Sequence, residues 1–412
     1  MNTAQCRFCA AALQHTFVDL GMSPLCERFI AEAQRNEMEP FYPLHVWVCD
    51  ACFLVQLEEY VAPDAIFTDY AYFSSYSDSW LAHAKRYTEA MRERFGLDNA
   101  SKVVEIASND GYLLQYFLAN GIPVLGVEPA ANVAEKAVEK GIPTVVKFFG
   151  EATARELLEE GHQADLLLGN NVLAHVPDIN DFIEGMRILL KPGGVITMEF
   201  PHLARLMEGN QFDTIYHEHF SYLSFSVVQR MFAAHGLALF DVEELPSHGG
   251  SLRIFAQHEA FAAERPAEPR VAQFLETERE AGFLDLAAYN TFADQVIECK
   301  HQLLEFLIAA RRAGKRVAGY GAPGKGNTLL NYCGIRTDLI EYTVDRNPFK
   351  HGKYCPGTHI PIYPVEHIDA TRPDYLLILP WNLGPEIMKQ MAHVREWGAQ
   401  FVVPIPSVKV YS

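Results

Sequence analysis

Four cysteines of this chain fall as two CxxC pairs, Cys6 with Cys9 and Cys49 with Cys52. Two residues between thiolates let both sulfurs face one point at the tip of a tight turn, and two such knuckles complete a tetrahedral zinc shell. A redox CxxC would stand singly, at the start of a helix that follows a strand. Four thiolates leave no coordination position open, so a structural Zn2+ is expected to fold this part of the chain and to catalyse nothing. Cys26, Cys299, Cys333 and Cys355 lack such partners and read as ordinary buried thiols.

A second set of reactive groups lies in the run Gln211-Phe212-Asp213-Thr214-Ile215-Tyr216-His217-Glu218-His219. A tyrosine, two histidines and a glutamate in consecutive positions are too polar for a core. A metal site would want the i, i+4 spacing of a helical HExxH pair, which HEH lacks. An acid–base cluster reads better, because histidine titrates near neutral pH and a neighbouring carboxylate can orient or charge it. His202, His217 and His248 read as hydrogen-bonded scaffolding.

Two loops suit nucleotides. In the first, Glu105-Ile106-Ala107-Ser108-Asn109-Asp110-Gly111 follows a strand, and Glu128 ends the next strand, where an acid can chelate both ribose hydroxyls. An NAD site would show GxGxxG, and only Gly111 is present. In the second, Tyr320-Gly321-Ala322-Pro323-Gly324-Lys325-Gly326-Asn327 is nearly a P-loop, but Gly326 has no hydroxyl to hold magnesium. Its glycines and Lys325 suit a diphosphate at a helix N-terminus, Asp345 suits a ribose, and Trp381 and Asn382 suit a base. Tyr320, Lys325, Asn327, Asp345, Trp381 and Asn382 are thus candidate substrate contacts; a doubly wound repeat without ligand is the alternative.

Both loops need strand–turn–helix units to carry them. From Ser101 and again from Lys315 the hydrophobic periodicity alternates strand with helix, which implies two parallel, doubly wound sheets. The buried strand Asp165–Asn170 ends in Asn170-Asn171 and leads to His175, and Pro192-Gly193-Gly194 turns into a further strand. Residues 258–285 are charged and rich in Ala and Glu, as a connector would be, and a long helical pattern runs from Tyr289 to Arg312.

The whole chain has 412 residues, 49% hydrophobic and 21% charged, enough for two or three globular domains. Asp and Glu (52) exceed Lys and Arg (34), and the net charge of −18 would repel a phosphate backbone, so nucleic acid is a poor partner. No apolar run approaches a membrane span and no signal peptide opens the chain, which makes the cytoplasm the expected compartment.

The CxxC pairs, EIASNDG, VLGVEPAANVA, HVPDINDF, QFDTIYHEHFSYLS and ELPSHGGSLR together resemble the sugar-nucleotide 3-C-methyltransferases that make branched deoxysugars, of the tetronitrose-pathway type. The resemblance covers nearly the whole chain. It implies an α/β protein with an N-terminal zinc-binding module (1–62), a central class I, Rossmann-like methyltransferase domain (63–257), a connector (258–288) and a C-terminal Rossmann-like domain that binds the nucleotide sugar (289–412). It implies S-adenosylmethionine at Glu105, Asn109, Gly111, Glu128 and Asn171, although Ala107 and Asn109 stand where that family's turn commonly has glycines. It makes His219 the base, with Tyr216, Glu218, His175 and Tyr70 in the sugar site; Phe73 stands where some members have a histidine.

The expected substrate is a nucleotide-linked 4-keto sugar of dTDP or GDP type. A carbon beside a ketone becomes nucleophilic only once its proton is removed, so a base and an enolate-stabilising donor are required. His219 would take the proton at C3, and Tyr216 or His175 would hydrogen-bond the enolate. The alternatives are O- or N-methylation of a related sugar, and a non-catalytic protein that binds sugar nucleotides.

Overall fold

The computed structural model describes residues 4–63, 66 and 74–412; Tyr70 lies outside them. The described chain forms two compact units, neither continuous in sequence. The first comprises the chain up to Leu13, Cys49–His202 and Phe220–Asp285; the second comprises Gln14–Val48, Leu203–His219 and Leu286–Ser412. The consecutive segments expected from sequence therefore interleave: the stretch between the two cysteine knuckles, and the Tyr216–His219 tetrapeptide, are built into the second unit.

The first unit is organised by a seven-stranded sheet. In chain order its strands are Val103–Ile106, Val124–Val127, Thr144–Val145, Ala164–Asn170, Leu190–Pro201, Leu237–Leu245 and Ser251–His258, and they lie side by side as 3-2-1-4-5-7-6. The first five are parallel and the last two form an antiparallel hairpin whose Ser251–His258 arm pairs with Leu190–Pro201. The order reverses at Val103–Ile106, and such a switch point opens a ligand crevice at the carboxyl ends of the strands. Both central strands are buried along their length, as parallel strands covered on both faces must be. The helix Asp78–Phe95 is started by the Ser77 hydroxyl, which accepts the Trp80 N–H, and is stopped by Gly96 in the left-handed conformation. Its buried face, Ala84, Tyr87 and Met91, packs with Leu113, Phe117, Phe240 and Phe255. The stretch expected as a connector contains the helix Pro269–Glu280. Buried Glu278 accepts the backbone N–H groups of Phe225 and Ser226, both at 2.7 Å, and so caps the helix Phe225–Ala234.

The second unit has a six-stranded sheet. Its strands Val317–Tyr320, Thr343–Val344, Ile362–Tyr363, Tyr375–Ile378, Gln400–Val403 and Lys409–Tyr411 lie in the order 3-2-1-4-5-6, parallel except for the last. This is the doubly wound arrangement expected, with its switch point at Val317–Tyr320, directly before the glycine-rich loop. The long helix Phe292–Arg312 and the hairpin His15–Ser23/Tyr42–Val48 share a core, in which the Phe17 and Phe292 rings stack at 4.6 Å.

Candidate functional site

The two knuckles close on each other. The ligand sulfurs of Cys6, Cys9, Cys49 and Cys52 lie within 4.8 Å of one another, with Cys6–Cys52 and Cys9–Cys49 each at 3.6 Å. Zinc–sulfur bonds of about 2.3 Å in a tetrahedron require sulfur separations of roughly 3.8 Å, whereas a disulfide requires about 2.05 Å. The donor set fits Zn2+ and not a pair of cystines. Each knuckle is shaped by its backbone: Ala10 N–H returns to Cys6 O and Phe53 N–H to Cys49 O, both at 2.9 Å, with Ala10 and Phe53 at positive φ. Gln56 donates to Cys6 Sγ at 3.1 Å, an outer contact of the kind that orients a metal ligand. The first knuckle is docked by Asn180, which donates to the Arg7 and Phe8 carbonyls, and by Arg7, whose guanidinium donates to Pro177 O.

In the first unit's crevice the turn after Val103–Ile106 takes positive φ at Ala107 (55°), Asn109 (49°) and Gly111 (74°). The path is therefore a glycine-type turn although two of its three left-handed positions are not glycine. Asn109 tolerates that conformation and its side-chain oxygen accepts Ser74 N–H at 2.9 Å. Gly111 suits its position, since a Cβ there would lie 2.3 Å from Ile142 Cδ1 and force that side chain to move. Glu128, 5% exposed, holds the turn: its two oxygens accept the N–H groups of Asn109 and Ala130, each at 2.9 Å. Burial raises its pKa and those two bonds oppose the rise. Glu105 is fully buried beneath, and burial together with the Glu128 charge pushes it well above the usual carboxylate range. This turn, with an acid at the adjacent strand end, fits the ribose and amino-acid portions of S-adenosylmethionine.

The same crevice carries Asn171, at positive φ, whose amide lies 3.0 Å from His248 Nε2, and His175, which ends a short helical turn. A network missed in the sequence stands beside them. Buried Glu199 meets His83 Nε2 at 2.9 Å, Arg253 at 2.7 Å and Ser247 Oγ at 2.8 Å. Burial works against its charge, but His83, Arg253 and Ser247 together hold Glu199 down at about 2. Ser247 and Arg253 lie within the ELPSHGGSLR motif, but His83 and Glu199 are remote from it, so only the fold could reveal the network. His202 is scaffolding, paired with Glu278 at 2.8 Å.

The second unit holds the tetrapeptide and the second loop. His219 Nδ1 lies 2.8 Å from the Thr214 carbonyl, which can only accept, so Nδ1 carries the proton and Nε2 the lone pair of the neutral ring. The Tyr216 ring lies 4.0 Å from the His219 ring. His217 points the other way, with its Nε2 3.2 Å from Pro43 O. Glu218 is buried against Cys26, 4.0 Å from its sulfur, and burial followed by the Glu27 charge pushes its carboxyl up to about 8.

Around the glycine loop, Asp345 accepts Ala322 N–H at 2.7 Å, Lys350 donates to Ala322 O at 2.8 Å, and Gly324 N–H donates to Glu27. A Cβ on Gly324 would meet Cys26 Sγ and Glu27 Oε1, both at 2.9 Å. Two N–H groups of the loop expected to cradle a diphosphate, those of Ala322 and Gly324, thus meet the carboxylates of Asp345 and Glu27, and Glu27, remote in sequence, carried no signal of this contact. Asn327 donates to Cys26 O at 2.6 Å, Tyr320 OH lies 3.5 Å from Gln390, and Lys325 donates to Asn382 Oδ1 at 2.9 Å over the Trp381 ring. Trp381 Nε1 donates to buried Asp213 at 2.7 Å. His175 and the cofactor residues belong to the first unit; Tyr216, Glu218, His219 and the nucleotide-type residues belong to the second.

Three family models match the chain: "Putative zinc binding domain" over residues 6–67, "Methyltransferase domain" over 80–242 and "C-methyltransferase C-terminal domain" over 246–406. C-methyltransferase NovU of Streptomyces niveus is 37% identical over 408 residues, spanning 99% of this chain and 97% of that protein. A ubiquinone biosynthesis O-methyltransferase of Chelativorans is 30% identical over 120 residues, 29% of this chain and 46% of that one. A solved S-adenosylmethionine-dependent methyltransferase of Clostridium acetobutylicum, 11% identical, covers 42% of this chain and 90% of its own, with a TM-score of 0.35.

Proposed function

The chain belongs to the family of S-adenosylmethionine-dependent C-methyltransferases, and from that premise we propose that it methylates C3 of a nucleotide-linked 4-keto deoxysugar through a base-generated enolate. S-adenosylmethionine supplies an electrophilic methyl group. The acceptor carbon must be made nucleophilic, and that task falls to the chain's own side chains. His219 Nε2 takes the C3 proton, and the Thr214 carbonyl on Nδ1 favours the tautomer that can do so. Glu218, whose carboxyl stays protonated to about 8, donates a hydrogen bond in the sugar site and is not a base. Tyr216 or His175 hydrogen-bonds the developing enolate oxygen, with Tyr70 as a further contact, and charge developing there is where fixed donors act most strongly. Asp345, Trp381 and Asn382 take the nucleoside end of a dTDP- or GDP-type substrate, and the cytoplasm is the setting.

The observation that carries this reading is the His219 tautomer set by the Thr214 carbonyl, beside the Tyr216 ring, an arrangement suited to removing a carbon-bound proton. NMR of the product made with methyl-labelled cofactor and a panel of keto-sugar nucleotides tests it. A new methyl on a carbon beside the ketone is required, and a methyl on oxygen or nitrogen refutes the mechanism.

A further inference from the structure

Three consecutive residues of the second unit, Asp213, Thr214 and Ile215, are each committed to a different partner. Asp213 Oδ2 accepts the Trp381 indole N–H at 2.7 Å. The Thr214 carbonyl accepts from His219 Nδ1 at 2.8 Å. The Ile215 carbonyl accepts from Thr328 Oγ1 at 3.2 Å, on the helix Gly324–Cys333 whose first turn carries Lys325. Lys325 Nζ in turn lies 2.9 Å from Asn382 Oδ1 and 4.8 Å from the Trp381 ring centroid. One short segment thus joins the loop residues suited to a nucleotide to the backbone that sets the base.

The cost of this arrangement argues that it does more than fold the chain. Asp213 is 0% exposed, and the Trp381 indole is the side chain that hydrogen-bonds its carboxylate. A carboxylate taken wholly out of water is destabilising compared with an apolar side chain of similar volume. Burial pushes its carboxyl up to about 7, with the Lys325 charge, the indole hydrogen bond and the backbone N–H groups of Asp213 and Thr214 opposing. A group kept at such a cost is accounted for by the geometry it imposes on its neighbours.

We propose that Asp213 is a positioning residue that locks Trp381 and, through it, Lys325 to the backbone segment that orients His219, so that the nucleotide-facing side chains and the base are held in fixed register before substrate arrives. The proposal rests on the reading that Trp381 and Lys325 face the nucleotide.

A double-variant cycle on the full chain tests it, with kcat and KM measured for Trp381→Phe, Asp213→Asn and the pair. Phe keeps a ring and removes the N–H; Asn keeps an acceptor oxygen and removes the charge. Each single change should lower kcat/KM roughly tenfold, the scale of one hydrogen bond to a charged group. The pair should lose no more than the worse single variant, because Asp213→Asn only weakens the bond whose donor Trp381→Phe removes, and with no indole N–H there is no link left to weaken. Losses that multiply to about a hundredfold, or single variants that alter only the melting temperature, overturn the proposal. Trp381→Phe breaks the link from the indole side; should Asp213→Asn not fold, a fall in the Trp381→Phe kcat at saturating substrate supports the link, and a change in KM alone overturns it. Equal wild-type turnover of the keto sugar with and without its nucleotide would refute the substrate reading instead, and the non-additivity in kcat would still report the link.

Discussion

Replacing Glu128 by glutamine changes one charge and almost no volume, and its consequence can be worked from two distances. The carboxylate accepts Asn109 N–H with one oxygen and Ala130 N–H with the other, both at 2.9 Å. Glutamine offers one oxygen and one NH2, so one of the two N–H groups would face a donor. A hydrogen bond to a charged group contributes about 1.5–3 kcal/mol, and its loss leaves a nearly buried backbone N–H without an acceptor. Those two bonds exist without cofactor and so report on stability; the charged acceptor lost to the ribose hydroxyls is of the same size, and at about 1.4 kcal/mol per tenfold cofactor affinity should fall roughly 10- to 150-fold. Calorimetric titration with S-adenosylmethionine and with S-adenosylhomocysteine measures it. The two ligands share the ribose and differ at the sulfonium, so Glu128→Gln should weaken both by the same factor. Unchanged affinity for both, or a loss confined to S-adenosylmethionine, would refute the placing of Glu128 on the ribose.

Other outcomes are as specific. Metal analysis should find about one equivalent of zinc, and Cys49→Ser should lower the melting temperature and the yield of soluble protein, because a closed thiolate site supplies folding energy; a soluble, metal-free variant with full activity contradicts this. His219→Asn keeps a side-chain hydrogen bond and removes the basic nitrogen, so kcat should fall roughly 10²- to 10⁴-fold with binding of both substrates retained; a small effect on kcat would assign the base elsewhere. Glu218 ionises at about 8 in the folded chain, above the roughly 4.3 of an unfolded glutamate, so the stability it contributes is full at low pH and is lost as pH rises through about 8. Glu218→Gln cannot ionise and should gain in melting temperature over the wild type between about pH 6 and about pH 9; an equal deficit at both ends of that range would show that the carboxyl is not held neutral by burial.

Much of the site was legible in the sequence because it is local. A CxxC knuckle needs only a tight turn to aim two sulfurs, and the second-strand acid of each sheet follows its turn by one helix and one strand. Both switch points therefore stood where the hydrophobic periodicity put them, before the turns at Ala107–Gly111 and Gly321–Gly324. The turn at Ala107 and Asn109 was legible as well, though its residue types understate how fully the backbone follows a glycine-type path.

What tertiary structure alone decided is which distant segments complete each site. Glu27 and Lys350 close on the glycine loop, Trp381 reaches Asp213, and His83, Glu199 and Arg253 form one buried network. None of these pairings has a spacing or a periodicity, because the partners lie on elements that meet only after the sheets have formed. The allegiance of Tyr216, Glu218 and His219 to the second unit has the same origin. Their segment runs on directly from the methyltransferase strand Leu190–Pro201, so chain order points one way. Hydrogen bonds from Thr328 and Trp381 to its backbone and side chains point the other, and a fold follows the contacts that satisfy buried polar groups and not the order in which the residues were joined.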